Sequence, residues 1–259
     1  MKKSFYIAII FLFTLDLLSH EKFIKGMAEH KPYLKGQHVK SIGDLRLIKN
    51  NELNNSLKYS KIKSKNLYGI GMPKRLNSEL LMTSGRIFEG KFVKHKYTAK
   101  ELKNEDKEIA FLAYVNVKQW TTILLPKNIV SFKQLEEVLP RIAKGAGINS
   151  DVPFPFILKS HIKSLKWFIV NGMGNGQPNH LASFLRSRYI GGLDNIEIEG
   201  IGFYSKKHKG ILSSPASSMH IHFRTIESPL FVGHIDDEML LSGNTEILFP
   251  IANTTKKIN

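Results

Sequence analysis

Met219-His220-Ile221-His222-Phe223 sets two imidazoles one residue apart, and Val232-Gly233-His234 supplies a third twelve positions after the second. The alternation of the first run is that of a β-strand, in which every second side chain projects to the same face. His220 and His222 therefore point together, and a neighbouring strand can carry His234 beside them. Three neutral imidazoles converging on one point, with a coordination position left open, are the usual protein half of a catalytic Zn2+ site. Clustered imidazoles are also costly to keep protonated, so a shared cation gives them a physical reason to meet. The competing reading is a core arrangement, because one His-x-His on a strand carries no chemistry by itself. Ten histidines are spread over the 259 residues, and His30, His38, His95 and His208 read as scattered surface positions. The third histidine at hairpin distance is what favours a metal.

The elements that must position these rings are mixed. Ser41 through Asn50 has the apolar spacing of a short helix. Leu80-Leu81-Met82 and Arg86 to Phe92 read as two strands joined by a turn at Ser84-Gly85. Ile109 to Val117 is a nearly continuous apolar run, as in a buried strand. Ser131-Phe132-Lys133-Gln134 is a capping box that opens a helix through about Leu139, with Pro140 at its end. Asn179 can cap a second helix, from about His180 to Arg188. Beyond it, Ile196 to Tyr204, Ser218 to Ile226, Leu230 to His234 and Thr245 to Phe249 are strand candidates. The fold class is thus α/β in the α+β sense, with strands dominating the last third. Gly172-Met173-Gly174-Asn175-Gly176 lacks the Lys-Ser/Thr of a phosphate-binding loop and reads as a turn.

Composition narrows the function. Lys2-Lys3 precede an apolar run from Phe5 to Phe13 that is too short to span a bilayer and fits a secretory signal peptide. Residues 1–22 are assigned to it, and the product is expected to be secreted or periplasmic, without stable membrane insertion after processing. Residues 23–150 are read as an N-terminal domain, 151–252 as a β-rich metal-binding domain, and 253–259 as a disordered tail. Cysteine is absent, so neither a disulfide nor a thiolate ligand exists. The net charge of +16 raises the alternative of an anion-binding module. The excess is spread along the chain, lysine far outnumbers arginine, and no nucleic-acid motif accompanies it, which favours a solvated surface.

The ordered set of segments resembles the α-acetolactate decarboxylase family. Leu67-Tyr68-Gly69-Ile70-Gly71-Met72-Pro73 through Asn77-Ser78-Glu79-Leu80-Leu81 is similar to that family's GLGTFNxLDGELI stretch. Ser84 to Phe92 resembles its next hairpin, and Ile109 to Tyr114 its Pro-Phe-Ala strand. Glu199 to Tyr204 is similar to EGTLVGFW, Met219 to Phe223 to YHLHF, and Gly233 to Asp237 to GHVLD. The likeness runs in unbroken order from about His38 to Pro250. It implies an N-terminal mixed sheet, a C-terminal antiparallel barrel-like sheet and a homodimer. It further implies zinc held by His220, His222 and His234, with the carboxylate of Glu79 in the site. The implied reaction is decarboxylation of a small 2-hydroxy-3-oxo acid, 2-acetolactate, to acetoin.

The chain departs from the family pattern where substrate would be held. Alignment of Phe156 to Asn171 places Asn171 where the family has a substrate-binding arginine, and Arg141 and Arg186 are displaced in sequence. An amide cannot reproduce the bidentate grip of a guanidinium on a carboxylate. Lys159, Lys163 or Lys166 could supply a charge from another direction. No acid follows Pro250, although a second glutamate is expected in the tail. The Asp-Gly before the family's glutamate is Asn77-Ser78 here, and one extra residue lies between His222 and His234. A zinc-binding relative that is non-catalytic, or specific for another substrate, is the alternative these changes support.

Overall fold

The apolar run between Ile109 and Val117 becomes the strand around which the first sheet is built. The structure, a computed structural model, describes residues 22–24, 27–45, 56–103, 107–171 and 187–252. In chain order the first strands are β1 (Lys22–Ile24), β2 (Met27–Glu29), β3 (Lys40–Ile42), β4 (Leu57–Lys58) and β5 (Leu67–Pro73). β6 (Ser78–Thr83), β7 (Arg86–Val93), β8 (Lys96–Glu101) and β9 (Glu108–Asn116) follow. They make one nine-stranded sheet in the order β1-β2-β3-β9-β5-β6-β7-β8, with β4 also paired to β9. β9 is buried without a break from Ile109 to Val115. Phe111, Ala113 and Val115 enter the main core, while Leu112 and Tyr114 enter a smaller one. A strand covered on both faces has no reason to alternate.

The second sheet comprises β10 (Trp120–Leu124), β11 (Phe154–Ile169), β12 (Tyr189–Tyr204), β13 (Met219–Thr225), β14 (Val232–Leu241) and β15 (Glu246–Pro250). Its order is β10-β15-β11-β12-β13-β14, and β14 also pairs with β11, so β11 to β14 close into a ring. Each of these pairings is antiparallel. The barrel-like sheet expected for the last third is this ring. Closure removes the open edges of its four strands and fixes which residues face its interior. One core cluster draws on both sheets, with Phe88 and Phe111 from the first and Phe156, Trp167 and Phe223 from the second.

The sheets meet at Gly90 in β7. A Cβ there would stand 1.9 Å from the backbone oxygen of Val232 in β14, so only glycine admits the approach. Tyr97 in β8 completes the junction. Its hydroxyl accepts from the Val232 N–H at 2.7 Å and donates to the Val232 carbonyl at 3.1 Å.

The helix α1 (Phe132–Gly145) starts where the capping box places it. Ser131 Oγ accepts from the Gln134 N–H at 3.3 Å, and Gln134 Oε1 accepts from the Val130 N–H at 2.9 Å. Its end differs from the reading, because Pro140 lies inside the helix. Proline forfeits one backbone bond, yet the buried stripe Phe132, Leu135, Leu139 and Ala143 continues across it and offsets that loss. The helix expected over Ser41 to Asn50 is corrected at its start. Ser41 and Ile42 belong to β3, where they pair with Ala113 and Leu112. Residues 46–50 lie outside those described. So do residues 180–186 of the second expected helix, the glycine-rich run at 172–176, the tail at 253–259 and residues 1–21 of the expected leader.

Candidate metal centre

Register brings the three histidines together. His222 in β13 lies directly opposite His234 in β14, and His220 is two residues away on the same face of β13. Ring centroids are separated by 4.9 Å (His220 to His222), 4.6 Å (His220 to His234) and 5.3 Å (His222 to His234). One ring nitrogen from each falls within 4.8 Å of the others. His220 and His222 are shut off from solvent, whereas His234 keeps partial exposure. Phe168 in β11 stacks on the His234 ring at 4.2 Å and Phe111 on His220 at 5.4 Å.

Backbone carbonyls set the tautomers. His220 Nδ1 donates to the Leu212 carbonyl at 2.7 Å, and His222 Nδ1 donates to the Leu80 carbonyl at 2.8 Å. A carbonyl can only accept, so each Nδ1 carries the proton and each Nε2 presents a lone pair. The two Nε2 atoms face one another 3.0 Å apart. Two lone pairs at that distance repel unless a positive centre lies between them, which is the fit a metal ion requires. The carbonyls also provide the outer hydrogen bonds that orient metal-ligating imidazoles.

Glu79 arrives from the first sheet. It sits in β6 opposite Gly90, the residue that admits Val232. Its Oε1 accepts from the Val170 N–H at 3.1 Å, and its Oε2 lies 3.3 Å from His222 Nε2. That Oε2 is fully buried and has no hydrogen-bond partner. Glu79, alone an unremarkable strand residue in sequence, is therefore inside the cluster. Asn171 follows Val170 and is partly buried.

Burial governs the protonation of every group here. Desolvation pushes the Glu79 carboxyl up to about 8, opposed by the Val170 N–H that favours its charged form. It brings His220 down to about 4, opposed by the bond to Leu212. His222 and His234 lie well below the ordinary imidazole value, first through desolvation and then through repulsion by neighbouring imidazoles. The cluster is thus a set of neutral nitrogen donors beside a carboxyl that retains its proton at neutral pH.

Several contributors escape the sequence reading. Leu80 and Leu212 act through backbone carbonyls and Val170 through its N–H, so no side-chain signal marks them. Glu136 in α1 accepts from the Ser217 hydroxyl at 3.1 Å and from the Ser218 N–H, anchoring the entry to β13 two residues before His220. Lys159 and Lys163 are exposed, and Lys166 pairs with Glu238. Arg188, by contrast, holds its guanidinium carbon 4.5 Å from the Phe168 ring centroid, against the ring that stacks on His234.

With this geometry in view, the comparisons with known proteins are consistent. No curated protein sequence matches the chain. Three solved structures share its fold, each with a TM-score of 0.62 over 82% of this chain. One is a Staphylococcus aureus protein of unknown function similar to alpha-acetolactate decarboxylase, 14% identical, with 84% of that chain covered. The others are alpha-acetolactate decarboxylase from Bacillus subtilis strain 168 and acetolactate decarboxylase from Bacillus subtilis subspecies spizizenii. Each is 16% identical, with 85% covered. The family model for alpha-acetolactate decarboxylase matches residues 42–253. The chain belongs to the alpha-acetolactate decarboxylase family.

Proposed function

We propose that this protein decarboxylates 2-acetolactate to acetoin, using a zinc ion held by His220, His222 and His234. The observation that carries the reading is Glu79 Oε2, buried without a partner 3.3 Å from the lone pair of His222 Nε2, in a chain of this family. Loss of CO2 from a 2-hydroxy-3-oxo acid leaves an electron pair that must be delocalised onto the neighbouring carbonyl. Zinc bound there would supply Lewis-acid stabilisation of that developing charge, a contribution of several kcal/mol.

The chain's own residues supply the rest. The Val170 N–H occupies Glu79 Oε1, so the proton of the neutral carboxyl resides on Oε2, the oxygen turned toward the imidazoles. Release of CO2 is balanced by delivery of one proton to the carbon it leaves, and Glu79 Oε2 is the donor. Solvent returns that proton afterwards. Phe168 and Phe111 cover two of the rings, which excludes water and keeps the local dielectric low.

Purified, zinc-loaded protein incubated with racemic 2-acetolactate should form acetoin faster than the spontaneous reaction. Formation at the spontaneous rate with zinc fully loaded rejects the reading. Asn171 supports a second one, in which the site binds zinc but handles a different acid or none. Asn171→Arg separates the two: acetoin formation that rises from near zero favours a lapsed decarboxylase.

A further inference from the structure

Residues 56–65 and 91–100 hold four lysines each and no acid, so these two segments carry half of the net charge of +16. The first sheet gathers them. Cross-strand pairing sets Glu89 against Lys100, Lys91 against Thr98 and Val93 against Lys96, and paired residues share a face. The other face of the same hairpin turns inward. There Gly90 admits Val232, the Tyr97 hydroxyl bonds it, and Phe92 stacks on Tyr189 at 4.2 Å. The lysine-bearing face is therefore the one turned away from the second sheet.

The other lysine group lies over that same outer face. Tyr59 and Ile62 pack into the smaller core with Leu80, Met82, Ile87 and Leu102, and the Tyr59 hydroxyl donates to the Gly85 carbonyl at 2.9 Å. Lys61, Lys63 and Lys65 are exposed on this covering segment. Glu89 on the same face is buried and already paired, accepting from the Ser78 hydroxyl at 2.8 Å and from Lys107 Nζ at 3.2 Å. The eight residues of β7 make the face about 25 Å long. At its far end Lys94 (φ 50°) and His95 (φ 63°) occupy the left-handed region, which long side chains adopt only under strain. That turn holds them at the sheet margin, since β8 is the last strand of its sheet, beside Val93, which is 42% exposed.

We propose that the outer face of the β7–β8 hairpin, together with the covering segment 59–65, docks the protein peripherally on an anionic lipid bilayer. A lysine is a hydrated point charge without the planar fork that grips one fixed phosphate, and the two segments contain no arginine. Point charges dispersed over a flat face suit a fluid surface of anionic headgroups, with Val93 entering the headgroup layer at the tip. Single-stranded nucleic acid would call for stacking rings. The aromatic side chains of these segments, Tyr59, Phe92 and Tyr97, are instead committed to interior contacts. Docking here leaves the space between the sheets, where Glu79 meets the histidines, uninvolved, so the proposal does not depend on the decarboxylase reading.

The test is co-sedimentation of the full chain with vesicles of phosphatidylcholine alone and of phosphatidylcholine mixed with phosphatidylglycerol. The neutral vesicles measure what the apolar N-terminal run contributes. Wild type should bind the anionic vesicles more tightly, and that excess should fall steeply with added salt. Two triple variants, Lys91→Gln with Lys94→Gln and Lys96→Gln, and Lys61→Gln with Lys63→Gln and Lys65→Gln, should each bind anionic vesicles about 10- to 100-fold more weakly. A third, Lys127→Gln with Lys133→Gln and Lys144→Gln, removes the same charge from exposed positions on and just before α1 and should stay within about threefold of wild type. All are compared at an unchanged urea midpoint, and either face variant suffices if the other does not fold. Equal loss in the α1 variant, an undiminished excess in the folded face variants, or no preference of wild type for anionic vesicles overturns the proposal. Lysine-dependent binding to heparin without binding to vesicles also overturns it, and assigns the face to a soluble polyanion.

Discussion

Proton competition at the three-histidine cluster gives a sharp expectation for metal binding as pH is lowered. Three ordinary imidazoles, each with a pKa near 6.5, would lose zinc to protons steeply. At pH 5 each would weaken binding about 30-fold and the three together about 3 × 10⁴-fold. Here His220 lies at about 4, and His222 and His234 lie well below 6.5, because burial excludes their charged forms. At pH 5 proton competition at His220 should therefore cost only about 1.1-fold instead of about 30-fold, and His222 and His234 are shifted in the same direction. A further titrating group beside the cluster is Glu79, whose carboxyl sits at about 8. If zinc ionises it, affinity falls at most tenfold per pH unit, or about 200-fold from pH 7.5 to pH 5. A chromophoric chelator calibrated at each pH measures both slopes. Wild type should fall by no more than one decade per unit, and Glu79→Gln should be nearly flat. A Glu79→Gln protein that loses more than about 100-fold across that range would show that the imidazoles are ordinary, and the burial argument would fail.

Three further expectations follow from the same geometry. Glu79→Gln should keep its zinc yet form acetoin about 10²- to 10⁴-fold more slowly, since the amide cannot deliver the proton; metal content and acetoin appearance are measured on one sample. The zinc-free protein should lose stability on acidification. Its folded state refuses at His220 a proton that the unfolded chain accepts, so the stabilisation is complete above about 6.5. It shrinks as pH falls toward about 4, by about 3 kcal/mol from His220 alone; the raised Glu79 carboxyl acts in the opposite sense over the same window, so urea midpoints are compared in the Glu79→Gln background. Gly90→Ala should cost at least about 1–3 kcal/mol, because its Cβ would stand 1.9 Å from the Val232 oxygen and the sheets would have to separate; its urea midpoint should drop with an unchanged slope.

How far the site was legible depended on which atoms carry it. The three-histidine cluster was readable because a strand alternates its side chains, which puts His220 and His222 on one face. The β6–β7 hairpin, the strand β9 and the Ser131 cap were readable because local chemistry decides each of them. What escaped is encoded elsewhere. The carbonyls of Leu80 and Leu212 have no residue-type signature, so the tautomers they fix cannot be read from letters. Arg188 was expected at the end of a helix, and only the β11–β12 pairing carries it to Phe168, the ring that stacks on His234. Pro140 reads as a stop, yet the core contact of Ala143 beyond it outweighs the lost backbone bond.

The same distinction explains why the site straddles two sheets. All three histidines lie on one hairpin, so their convergence needs only the register that sets His222 against His234. Glu79 and the Leu80 carbonyl belong to the other sheet, and they reach the cluster only where Gly90 lets Val232 approach and Tyr97 ties it down. Ligand spacing is therefore a local property, whereas the buried carboxyl and the orientation of His222 depend on docking. A fault at the sheet junction should displace Glu79 and release His222 Nδ1 before it disturbs the separation of the three rings. Proton delivery is thus the function most exposed to changes far from the three histidines, because Glu79 reaches the cluster only when both sheets are in place.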